Sequence, residues 1–301
     1  MTRTLRVGSR QSPLALRQTE LVLAPLRRRN LGVTFEVVPI VTAGDQGPSR
    51  GGRWDFTDRL DASLERGEID LAVHSAKDLP SRPERSVEIV AVPRRSDPRD
   101  ALVARPGSSL QRLPSGARLG SSSCRRRAQL LRSRPDLRVV EIHGNVGTRL
   151  EKLRTWDLDG VVLAVAGLER LGLADCISQR LPLSSFLPPP GQGALAVEAR
   201  PSDRELHRLL CAIDHVPSRR CAQAERAFAA ELGADCDTPL GALARVKDGT
   251  LTLRGEVIAA DGQRTVRGLR KGRPERAGSV GRALARELLE KGADALLSAG
   301  A

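Results

Sequence analysis

The 301-residue chain carries a net charge of +13, and its length suits two or three compact domains. Lysine occurs only at 77, 152, 247, 271 and 291, so arginine dominates; with 2% aromatic residues and no tyrosine, base-stacking on nucleic acid is argued against. No apolar run is long enough to cross a bilayer, and Cys124, Cys176, Cys211, Cys221 and Cys236 form no Cys-x-x-Cys pair, so the expectation is a cytoplasmic protein without membrane, nucleic-acid or metal partners.

In chain order, a strand over Leu5 to Gly8 ends in Arg10-Gln11-Ser12-Pro13, where Ser12 is placed to cap a helix with Pro13 in its first turn. A strand over Thr34 to Val41 follows. Ala43 to Trp54, rich in glycine, reads as a mobile loop or lid, and a helix near Thr57 to Arg66 leads to a strand over Asp70 to His74. That strand runs into Ser75-Ala76-Lys77-Asp78-Leu79-Pro80, the position where α/β sheets present ligand-contacting residues. Asp78 there can steady a cation forming on a substrate and then take a proton, with Lys77 lowering its pKa or holding an acidic substituent. A turn aspartate capping backbone amides fits the same residues equally well.

Two domain crossings are expected, at Pro93 to Arg99 and at Leu187 to Gly193. Between them lies a second α/β unit with strands over Arg118 to Gly120, Val139 to Ile142 and Val161 to Val165. Ala194 to Ala199 is a further strand that can return to the first sheet. The last third reads as a small α+β domain: a helix over Arg219 to Glu231, a turn holding Cys236, two strands over Leu251 to Ala259 and Arg264 to Leu269, and a helix from Pro274 to Lys291. The first turn described above, Gly120 to Arg127 and Gly144 to Arg149 each join a strand to a helix through small residues and arginine. Backbone N–H groups, the helix dipole and a guanidinium fork attract carboxylates or phosphates, so three such turns point to a ligand with several anionic groups.

Seven stretches then carry a resemblance. Ser9 to Leu16, His74 to Pro80, Asp97 to Ala101, Gly144 to Leu150, Leu163 to Leu168, Pro190 to Ala194 and Ala224 to Ala227 occur in the order found in the porphobilinogen deaminase (hydroxymethylbilane synthase) family, which the chain resembles along nearly its whole length. The resemblance implies two periplasmic-binding-protein-like lobes, mixed open sheets with helices on both faces, plus a small C-terminal α+β domain. Lobe 1 would comprise 1–93 with 194–213, lobe 2 99–188, and the third domain 217–301. It implies a monomeric transferase that joins four porphobilinogen molecules, with loss of ammonia, on a dipyrromethane cofactor held by a thioether to Cys236. Asp78 and Lys77 would be catalytic. Ser75, Lys77, Asp78, Ser121, Ser123, Arg125, Arg126, Asn145 and Gln192 would hold the cofactor, and Arg10, Ser12, Gln18, His143, Arg149 and Arg170 the substrate. The alternative is a non-catalytic two-lobed binding protein for small polycarboxylates.

Three places depart from the family pattern. His143 stands where arginine is usual, which removes a guanidinium from the anion site. Gly51-Gly52-Arg53-Trp54-Asp55 stands before Phe56 where a lysine and small residues are usual, and Asp58-Arg59-Leu60-Asp61 replaces Lys-Glu-Leu-Glu. Ala234-Asp235 before Cys236 replaces a glycine-containing pair, which stiffens or re-aims that loop.

Overall fold

The computed structural model describes residues 3–30, 32–42, 44, 57–80, 87–234 and 238–298. Most of the loop expected over 43–54, and Cys236 with both flanking aspartates, lie outside the described residues. The chain divides into two compact units, Met1–Arg95 with Ala194–Arg219 and Ser96–Gly193 with Arg220–Ala301.

The first unit is built on a five-stranded sheet of order β2-β1-β3-β10-β4. Its strands are β1 (Arg3–Arg10), β2 (Val33–Ile40), β3 (Leu71–Ser75), β4 (Glu88–Ala91) and β10 (Leu195–Ala199). β1 pairs in parallel with β2 and β3, whereas β10 is antiparallel to both β3 and β4. The return of β10 to the first sheet matches the sequence expectation. α1 (Pro13–Arg29) forms because Ser12 accepts a hydrogen bond from Ala15 N, Pro13 sits where its missing N–H costs nothing, and Ala15, Val22, Leu23 and Leu26 present one apolar face. That face packs with Leu5, Val7, Leu71 and Val197 into the core of this unit. α2 (Asp58–Glu65) buries Leu60 and Leu64 against Ile69 and Ala72, and α6 (Arg204–Leu210) adds Leu206 and Leu210.

The second unit holds two sheets. One repeats the plan of the first: order β7-β6-β8-β5-β9, with β7, β6 and β8 parallel and β5 antiparallel to both β8 and β9. Its strands are β5 (Asp100–Ala104), β6 (Arg118–Gly120), β7 (Arg138–Val140), β8 (Gly160–Ala164) and β9 (Gln179–Arg180). Its helices are α3 (Cys124–Ser133), α4 (Val146–Thr155) and α5 (Val165–Arg170). Val165, expected to end a strand, instead opens α5, because the chain turns where Val165 N bonds Arg99 O. The other sheet is antiparallel, β11 (Leu240–Lys247), β12 (Thr250–Ile258) and β13 (Thr265–Gly272), covered by α7 (Val216–Glu231), α8 (Ala277–Glu290) and α9 (Ala293–Ser298). Two strands were expected here and three are present. Leu240-Gly241-Ala242-Leu243-Ala244 is poor in β-branched residues, and only pairing with β12 and burial beneath Phe228 make it a strand.

Candidate active site

In the first unit the carboxyl ends of the parallel strands carry the expected polar groups. Ser9 and Thr19 share a buried hydrogen bond of 2.9 Å that fixes the step from β1 to α1. Arg10 follows, and its guanidinium stands 4.0 Å from the Asp78 carboxylate. Gln18, buried on α1, donates to Ser75 Oγ at 2.9 Å. β3 ends at Ser75, and a single 3₁₀ turn, Ala76–Asp78, carries Lys77 and Asp78. Ala76 N bonds Ala194 O, and buried Leu79 anchors the far side of the turn. Arg10, Gln18, Ser75, Lys77 and Asp78 are thus gathered at one end of one sheet. Ser12 Oγ accepts from Ala15 N in its helix cap, which leaves the hydroxyl hydrogen able to donate to a ligand.

In the second unit the corresponding strand ends form a cationic cluster around a group the sequence reading gave no role. Asp100, fully buried at the start of β5, receives Arg126 Nη2 at 2.8 Å and Arg125 Nη2 at 2.9 Å. Gln192 Nε2 donates to the same carboxylate at 3.0 Å. Burial alone would raise the Asp100 pKa, but the two guanidinium groups overcome it and hold the carboxyl below the usual range. Burial pushes Arg125 below its ordinary value, with Asp100 opposing. Two cations against one anion leave this cluster one positive charge in surplus. The motif Asp97 to Ala101 contained the signal, since a carboxylate opening a strand of apolar residues must be paired if it is buried.

The remaining predicted residues surround the same strand ends. Ser123 caps α3 by accepting from Arg126 N, and Ser123 N donates to Ser121 Oγ. Asn145 caps α4 through Thr148 N at 3.0 Å, and Gly144 before it takes φ +113°, a conformation closed to side-chain-bearing residues without strain. Arg149 reaches Gly144 O and Ser122 Oγ. Arg170 on α5 bonds Gly193 O at 2.7 Å, and its burial lowers its pKa to about 10. His143 Nε2 lies 2.9 Å from Glu141, and Lys152 Nζ donates to His143 O at 3.1 Å. Lys152 is a cation with no role in the sequence reading; it lies about two turns into α4, seven residues past the Asn145 cap, and its side chain reaches back to the His143 carbonyl. Glu225, also without an assigned role before, accepts from Gly191 N and Ala244 N at 2.7 Å each, and thereby fixes the proline-rich turn that carries Gln192.

The model of "Porphobilinogen deaminase, dipyromethane cofactor binding domain" matches residues 5–208, and that of "Porphobilinogen deaminase, C-terminal domain" matches residues 219–290. The chain belongs to the porphobilinogen deaminase family. Curated porphobilinogen deaminases from Roseiflexus sp. (strain RS-1) and Xanthomonas oryzae pv. oryzae (strain PXO99A) are 47% and 44% identical to it, covering 99% and 98% of this chain and 100% and 99% of theirs. Among solved structures, the periplasmic aliphatic sulphonate binding protein SsuA from Escherichia coli aligns with 76% of this chain and 70% of its own at 13% identity and a TM-score of 0.42. The match of both family models removes support from the non-catalytic alternative. Among the described residues, no helix is long and apolar enough to cross a membrane.

The residues of the second unit fit the dipyrromethane cofactor that the family model names. Such a group carries acetate and propionate side chains, and the arginine cluster around Asp100 has positive charge in surplus beside the capped N-terminus of α3.

Proposed function

We propose the following division of labour for the porphobilinogen deaminase reaction, the condensation of four porphobilinogen molecules, with release of ammonia, into the linear tetrapyrrole hydroxymethylbilane. The observation that carries it is Asp78, placed in the turn at the end of β3 with a guanidinium 4.0 Å away. When the C–N bond of the porphobilinogen aminomethyl group breaks and its protonated amine leaves as ammonia, the pyrrole nitrogen supplies electrons and the ring keeps the methylene as a cation. The Asp78 carboxylate stabilises that charge through the pyrrole N–H. After the new carbon–carbon bond forms, the displaced α-proton passes to the same carboxylate, and Asp78 then returns it to solvent. Lys77 and Arg10 hold acidic substituents of the reacting ring beside Asp78.

The dipyrromethane, attached to Cys236, supplies the pyrrole carbon to which the first unit is joined. Arg125 and Arg126 offer their surplus charge to its carboxylates, with Ser75, Ser121, Ser123, Asn145 and Gln192 as hydrogen-bonding partners. Arg149, Arg170, Gln18, Ser12 and the His143 turn receive the carboxylates of the incoming substrate. The same reading has the chain acting as a monomer in a reducing cytoplasm, in keeping with exposed, unbridged Cys176 and Cys211; sedimentation of the purified protein tests the first part.

Ammonia release from porphobilinogen, read alongside intact-protein mass, tests the proposal. Four ammonia per tetrapyrrole and a mass excess of two pyrrole units, lost in Cys236→Ser, are expected. A bare polypeptide that binds porphobilinogen without releasing ammonia would overturn it.

A further inference from the structure

One buried polar cluster takes no part in the scheme above. His74 Nε2 lies 3.1 Å from Glu198 Oε2, with the side chains 2% and 3% exposed. One donor atom from each of Asp61, His74 and Glu198 falls within 4.8 Å of the other two. Three elements of the first unit contribute one residue apiece. His74 is on β3 and Glu198 on β10, where the register pairs His74 with Ala196 and Ala72 with Glu198, so the two side chains are diagonal neighbours on one face of the antiparallel ladder. Asp61 is in the first turn of α2, half-buried.

A wholly apolar contact would hold α2 on the sheet just as well, since Leu60, Leu64, Ile69 and Ala72 already pack there. Removing carboxylates from water costs several kcal/mol per ion, and a well-packed hydrophobic replacement is often neutral or stabilising. What a polar cluster adds is direction: a buried imidazole close to carboxyl groups admits fewer ring orientations than an apolar contact, whose side chains slide. The position of His74 gives that direction a use. It is the penultimate residue of β3, and after Ser75 the chain leaves the sheet to form the turn bearing Lys77 and Asp78.

We propose that His74 is a positioning residue for the Asp78 carboxylate: packed 3.1 Å from Glu198 across the β3–β10 ladder and with a donor atom of Asp61 on α2 within 4.8 Å, it fixes the rotation of the last residues of β3 and so the aim of the catalytic turn. Glu198 and Asp61 serve the same purpose through His74. The inference rests on the role given to Asp78 above.

The test compares the cofactor-loaded parent with Glu198→Gln, Glu198→Leu and His74→Gln, each counted per loaded molecule by intact mass. A misaimed catalytic group costs turnover without touching the arginines that bind substrate. kcat is expected to fall about tenfold to a hundredfold in Glu198→Leu and His74→Gln, with KM within about twofold of the parent. Glu198→Gln, which keeps an acceptor oxygen and the side-chain volume, recovers part of the loss. Lower thermal stability with parental kcat per loaded molecule would show a merely structural role and overturn the proposal, as would KM rising in step with falling kcat. Stoichiometric zinc in the dialysed parent, absent from Asp61→Asn, would also overturn it by making the cluster a metal centre. Asp78→Asn is measured in parallel: parental turnover there defeats both readings, whereas a slow Asp78→Asn beside fast His74 and Glu198 variants defeats this one alone.

Discussion

The two lobes share a strand order, three parallel strands followed by an antiparallel one and a short edge strand, yet they equip the same strand ends with opposite chemistry. In the first, the third parallel strand delivers a carboxylate, Asp78, in a partly exposed turn with one guanidinium nearby. In the second, the antiparallel strand delivers a carboxylate, Asp100, into full burial, where two arginines and Gln192 consume it. One aspartate is left partly exposed beside a guanidinium, which suits the reactive role proposed for it, and the other is spent on holding arginines in place. The difference lies in which strand carries the acid: the start of an antiparallel strand points back beneath the neighbouring turns, whereas the end of a parallel strand leads out of the sheet.

The sharpest way to break this contrast is to neutralise each aspartate in turn. Asp78→Asn should leave the fold and thermal stability near parental but cut turnover by about a hundredfold or more, the range associated with a positioned acid–base group. Steady-state ammonia release measures it. Asp100→Asn should do the reverse in kind, costing about 3–5 kcal/mol of stability because two buried guanidinium groups lose their counter-charge. The pH dependence follows from the direction of the Asp100 shift. Its folded pKa is depressed, so the pair stabilises the lobe fully above the unfolded carboxylate value near ~3.9, and that stabilisation is lost as pH falls toward the folded value. Thermal unfolding of the parent minus that of Asp100→Asn, followed from neutral pH into acid, should therefore shrink. A difference that stays constant would mean that Asp100 does not remain ionised in the folded protein.

A smaller effect sharpens the comparison at the helix starts. Ser12 caps α1 and Asn145 caps α4, each by one hydrogen bond from the side chain to a backbone N–H. Either substitution by alanine should cost about 1 kcal/mol. α4 has no fully buried residue, whereas α1 buries six, so Asn145→Ala should fray its helix locally while Ser12→Ala registers only in global unfolding. Amide hydrogen exchange separates the two outcomes.

Much of this was legible before any coordinates. Ser12-Pro13 announced a helix, strand-like apolar runs announced β1, β3 and β8, and the chain returns to the first sheet at β10 as its sequence suggests. The reading failed where tertiary contacts decide local form. β11 opens on a run of glycine, alanine and leucine that becomes a strand only against β12, and Val165 looks like strand but opens a helix. Within the site, cations were easy to find and their partners were not. Arg125 and Arg126 stood out as a run, but that Asp100 meets them depends on the register of β5 with β8, which a single sequence does not reveal. Lys152 and Glu225 escaped for the same reason, one lying nine residues from the carbonyl it holds and the other far along the chain from the turn it holds.

The smallest prediction concerns His143, where the second lobe departs from its family. A guanidinium at this place would restore a charge-assisted hydrogen bond to a substrate carboxylate, but the position is partly exposed, so its value is discounted to at most about 1 kcal/mol, or roughly a fivefold fall in KM. Two neighbours set the size of the effect. Glu141, 2.9 Å from His143 Nε2, would compete for the new arginine, so Glu141→Gln combined with His143→Arg should lower KM further than His143→Arg alone. Lys152 already brings a cation to within 3.1 Å of the His143 carbonyl. If His143→Arg leaves KM unchanged and Lys152→Met raises it, the charge absent from the turn is supplied from α4, by a cation nine residues further along the chain.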